Sequence, residues 1–105
     1  VTRVPVVVER VARLWPSWVM ARVSGRTIYW VERYPVTVRG LAHELAHVLQ
    51  RERLGWRFLG AYLLGWARVG FRYHLNPLEV EAHAAERDPV MLTWAADVIE
   101  GRAGG

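Results

Sequence analysis

The sequence contains no cysteine. A disulfide framework and a thiolate metal site are both excluded, so a bound metal would have to use imidazole and carboxylate donors. Lysine is missing too: all fourteen basic residues are arginine, against ten acidic ones, for a formal charge of +4. These arginines are scattered from Arg3 to Arg102, with no basic stripe and no interleaved aromatics, and no nucleic-acid partner is expected. There is no long apolar run. The longest, Phe58 to Phe71, is interrupted by Arg68 and falls short of the roughly 20 residues a bilayer span needs. It reads as a buried core helix, and no membrane partner is expected. The opening Val-Thr-Arg-Val-Pro lacks the apolar stretch and cleavage site of a secretory signal, which makes a cytoplasmic protein the expectation. Side-chain amides are nearly absent, with one Asn and one Gln, a composition poor in thermolabile residues.

What is present suits a folded protein. At 52% hydrophobic and 23% charged residues, the chain has too much apolar side chain for a disordered tail. Its 105 residues are the size of one domain, expected to span residues 1–105.

The apolar residues Val7, Val8, Val11 and Leu14 recur at helical spacing, which predicts an N-terminal helix ended by Pro16. Two β-rich runs follow, Trp18 to Val23 and Arg26 to Val31, and Ser24-Gly25 between them predicts a hairpin. Pro35 closes this extended segment. Thr37 is placed to cap a helix from Val38 to about Leu54, where Gly55 can supply a left-handed stop. A helix from Trp56 to about Val69 carries Leu59, Tyr62, Leu63 and Trp66 on one stripe, with Gly60 and Gly65 permitting close packing. Asn76-Pro77 marks the start of a helix running to about Arg87, and a last helix covers about Val90 to Glu100. The expected class is α+β and mostly helical.

The segment His43-Glu44-Leu45-Ala46-His47 carries the chemistry. Four residues turn a helix by nearly one revolution, so His43 and His47 share a face and can bind one ion. Glu44 lies about a hundred degrees round, where its carboxylate can take a proton from metal-bound water. Leu41, Leu45 and Leu49 form the opposite, core-facing side. In a chain of this composition the pattern arises by accident in roughly one case in a hundred, so a third ligand must decide. Zinc hydrolases use three protein ligands and leave one position for water. The position six residues beyond His47 is Arg53, which excludes the third histidine of metzincins. The segment from Asn76 to Glu86 holds the remaining candidates.

The motif from His43 to His47, followed by a helix of the form Glu-x-x-Ala, resembles the gluzincin peptidases. The short chain looks most like their single-domain members, the minigluzincins. The resemblance implies a minimal zincin-like domain that hydrolyses peptide bonds, with Zn2+ as cofactor and a peptide or protein as substrate. It maps the third ligand onto Glu79, with Ala82 three residues on. Where the family often has Asp or Asn holding a metal-binding histidine, this chain has His83, a candidate for that supporting role. Asn76-Pro77-Leu78-Glu79 also fits a capping box, in which Glu79 would only satisfy its own helix end and Glu81 would become the rival ligand. His74, with Tyr73 beside it, is a candidate for stabilising an oxyanion.

The strand Arg26 to Val31 corresponds to the edge strand that pairs with extended substrate in gluzincin-like folds, which would put Tyr29 or Trp30 in the cleft. The minigluzincin likeness further implies latency, with residues 90–105 lying in the cleft and Asp97 or Glu100 directed at the metal. A catalytically inactive metal-binding or protein-interaction module on the same fold is the alternative.

Overall fold

The computed structural model describes residues 2–15, 17, 19–68, 70 and 76–101. The chain runs through β1 (Val7–Val11), β2 (Ala21–Ser24), β3 (Thr27–Val31), α1 (Val38–Leu54), a 3-10 turn (Gly55–Arg57), α2 (Phe58–Arg68), α3 (Pro77–Ala85) and α4 (Pro89–Ile99). It is a small α+β fold, mostly helical, with one three-stranded sheet among the described residues.

The N-terminal segment corrects the expectation of a helix, because Val7–Val11 is a strand paired in parallel with β3. Val7, Val8 and Val11 do fall at helical spacing, but β-branched side chains lose rotamer freedom in a helix and suit a pleated surface. The operative period is two: Val4, Val6 and Val8 pack on the core, whereas Val7 is 60% exposed. Pairing with a distant strand supplies what the local pattern could not specify.

The hairpin forms as expected, with Gly25 at φ +59 in its turn and Val23 opposite Ile28. The sheet order is β1-β3-β2, so β3 is the central strand and not an edge. Ile28 and Trp30 of β3 are fully buried beneath α1.

The cap of α1 is Thr37, whose side chain accepts from the Gly40 backbone N–H. Gly55, at φ +57, ends the helix and donates its N–H to the Arg51 carbonyl. One face of α1 presents Leu41, Leu45 and Val48 to the sheet, all fully buried. Gly40 is needed where this helix crosses Trp30, because a Cβ there would lie 2.9 Å from the indole and 2.8 Å from Thr37 Oγ1. Most of the buried apolar residues form one cluster that also takes in Ala82 and Ala85 of α3 and Met91, Trp94 and Ala95 of α4. Asp88 caps α4 by accepting from the Val90 N–H.

Two expectations about helices need correction. α2 is not a buried helix: Gly65 is its one buried residue, and Leu59 and Leu63 are 66% and 50% exposed. Its periodicity was helical, but a segment apolar on every side does not reveal which side the protein covers. Close packing occurs at Gly65, where a Cβ would meet Pro77 at 3.1 Å, and not at Gly60, which has open space around it. α4, for its part, is an integral core helix and not a segment lying in a cleft: Trp94 is 1% exposed, and Asp97 is held by Arg3 at 2.9 Å. Residues 102–105 lie outside the described residues.

Candidate metal centre

A second stripe of α1, His43, His47 and Gln50, repeats at four and three residues and faces α3. The matching stripe of α3 is Glu79 and Ala82, continued by Glu86 at the C-cap of the helix, and small Ala82 permits close approach. These two faces bring together His43, His47 and Glu79, whose ligand atoms lie within 4.8 Å of one another. Glu79 is only 2% exposed. Its Oε1 lies 3.0 Å from His47 Nε2, and its Oε2 lies 3.3 Å from His43 Nε2.

The Glu79 side chain therefore does not cap its own helix. Asn76 does so alone, accepting from the Leu78 N–H at 2.9 Å, and its amide also donates to the Tyr62 carbonyl. Glu81 turns elsewhere. Its Oε1 accepts from Gln50 Nε2 at 2.9 Å and lies 3.4 Å from Arg53.

Around this group the imidazoles are oriented from behind. The Nδ1–H of His43 donates to Glu86 Oε2 at 3.0 Å, and that of His47 donates to Gln50 Oε1 at 2.9 Å. The Gln50 amide is fixed by donating to Leu78 O at 2.8 Å, which sets its oxygen toward His47. With Nδ1 donating, each neutral ring presents its Nε2 lone pair to the centre, the tautomer a metal requires. Tyr62 of α2 donates to Glu79 Oε1 at 2.9 Å.

Glu86 and Gln50 were not among the residues read from the sequence, which assigned the supporting role to His83. His83 acts at one remove: its ring meets that of His43 edge-on at 4.8 Å, and it shares Glu86 Oε2 at 2.8 Å. A signal for Gln50 did exist. The only glutamine and the only asparagine of the sequence are both buried and both belong to this network.

The donor set fits a metal ion on two observations. One ligand atom from each of the three residues lies within 4.8 Å of the others, a spread that small side-chain shifts would bring to the roughly 3.3 Å between ligand atoms in a tetrahedral zinc site. In addition, Glu79 Oε2 is buried without an aligned hydrogen bond, a cost that a cation would remove.

The electrostatics are those of buried charge held by neighbours. Burial lowers the pKa of His43, but Glu79 at Nε2 and Glu86 at Nδ1, helped by the charge of Glu44, overturn this and raise it to about 9. His47 is also raised, against its burial, by Glu79 and then Gln50. Burial would raise Glu79, yet the two imidazoles and Tyr62 hold it far below the usual carboxylate range. Glu44 is raised chiefly by burial, which the positive fields of His47 and His43 oppose.

The remaining site expectations fare differently. Tyr29 is half-buried on the sheet face opposite Trp30, and neither strand edge beside it is free, since it pairs with Glu9 on one side and Arg22 on the other. Trp30 is a core residue and cannot line a cleft. The central position of β3 overturns the assumption behind both. His74 and Tyr73 lie outside the described residues. Compared with known proteins, the chain matches no family model, no curated protein and no solved structure.

Proposed function

We propose that this chain is a zinc metallopeptidase on a minimal zincin-like fold, with His43, His47 and Glu79 as the ligands. The observation that carries this reading is the carboxylate of Glu79 meeting the Nε2 atoms of two imidazoles spaced four residues apart. A zinc ion held there would polarise a scissile carbonyl and lower the pKa of a water toward about 7.

Each neighbouring residue then has a task. Glu44, adjacent in sequence to His43 and made more basic by burial, accepts the proton of the attacking water and passes it to the leaving amine. Glu86 and Gln50 keep both imidazoles in the ligating tautomer. Tyr62 holds Glu79 in place. An extended substrate would have to add to an outer strand, and β2 is the one that adjoins α1.

One observation favours a second reading, a module that binds partners without catalysis. Glu79 lies at ion-pair distance from both imidazoles, so protonated histidines could balance its buried charge without a metal. The two readings separate on zinc content followed by digestion of a peptide library. Replacing Glu44→Gln should leave bound zinc unchanged and lower turnover by about a hundred-fold to ten-thousand-fold. Undiminished activity in that variant would remove Glu44 from the mechanism, and no cleavage by the zinc-loaded wild type would favour the binding module.

A further inference from the structure

The outward face of α2 has no protein cover among the described residues. From Phe58 to Ala67 the helix carries no charged side chain. A helix apolar all round is ordinarily either buried or in contact with lipid. Its inner side packs on α3 at Gly65 and reaches Glu79 through Tyr62. Its outer arc leaves Leu59, Leu63 and Leu64 at 66%, 50% and 53% exposure, and Trp56 at the head of the helix is 91% exposed.

Charge says what this face fits. Exposed Arg57 and Arg68 stand at the two ends of the arc, and no acidic residue occurs between Glu52 and Glu79. We propose that α2, with Trp56, seats on an anionic lipid bilayer surface, lying in the plane of the interface. Leucines of the arc would enter the acyl boundary, and Trp56 would take the headgroup level that suits an indole. The two arginines would reach lipid phosphates. No described helix is long and apolar enough to cross a membrane, so contact is by lying on the surface. A second copy of the chain fits less well, because packing α2 against α2 would bring arginines together with no carboxylate on the segment to balance them. The proposal reverses the expectation of no membrane partner drawn from reading this segment as buried. It does not rest on the metallopeptidase reading.

Flotation of the full chain with phosphatidylcholine vesicles, with and without phosphatidylglycerol, tests it. Binding should be at least tenfold tighter with phosphatidylglycerol and should weaken at about 0.5 M salt. The double variant Leu59→Ser, Leu63→Ser should lose binding with its circular dichroism unchanged, since both side chains are exposed. Arg57→Gln with Arg68→Gln should erase the preference for anionic lipid. Absence of binding to anionic vesicles, or equal binding by the leucine variant, would overturn the proposal. So would a wild-type dimer in sedimentation that the leucine variant dissociates, which would assign the face to a second copy.

Discussion

Zinc affinity should rise about fifty-fold as the pH is taken from about 7 to 9, and the magnitude follows from the contacts of His43. Its Nδ1 donates to Glu86 at 3.0 Å, and its Nε2 stands 3.3 Å from Glu79. Together these carboxylates raise it to about 9, although burial acts the other way. A ligating imidazole must be unprotonated, and at pH 7 a group with that pKa is unprotonated in about one molecule in a hundred. Protons therefore compete with zinc, and the raised His47 steepens the dependence. The same sign applies to folding without metal. A histidine whose folded pKa exceeds its unfolded value contributes stability that is present below about pH 6.5 and lost as the pH rises through about 9. Competition against a chromophoric chelator across this range measures the affinity, and calorimetry in buffers of different ionisation enthalpy counts the protons released, at least about one per zinc at pH 7. An affinity independent of pH, or binding that releases no proton, would refute the reasoning. The slope should also flatten in Glu79→Gln, which removes a carboxylate that helps hold the proton.

Two further substitutions probe the support of the centre. Glu86→Gln, measured at about pH 9 where proton competition at His43 is only about twofold, should weaken zinc binding about tenfold to a hundred-fold by freeing the His43 ring, and a chelator titration reads it. Trp94→Ala, at a position 1% exposed between α4 and α1, should cost about 3 to 5 kcal/mol in urea unfolding, and truncation before Pro89 should unfold the chain without any gain in activity.

Where the sequence states a boundary chemically, the structure follows it. Thr37 and Asn76 cap the helices they were expected to cap, and Gly25 and Gly55 take the positive φ that their turns require. The two histidines share a face because helical period alone demands it. Long-range facts were less legible. The strand β1 depends on a partner some twenty residues away, so Val7, Val8, Val11 and Leu14 could imitate a helix. The exposure of α2 is invisible in a segment that is apolar on every side. Glu86 lies seven residues beyond Glu79, two turns along the same face, and reaches His43 past His83, which occupies the nearer turn. No local pattern announces such a contact, since it depends on how closely Ala82 lets α3 approach α1.

The most direct test of the central claim is X-ray absorption at the zinc edge of the zinc-loaded protein, with Glu79→Gln and Glu81→Gln alongside. The account predicts about one zinc per chain with two imidazole nitrogens and light oxygen donors at roughly 2.0 to 2.2 Å, a signature that Glu79→Gln degrades and Glu81→Gln leaves intact. An ion surrounded only by water oxygens, or a spectrum that Glu79→Gln does not change, would contradict it.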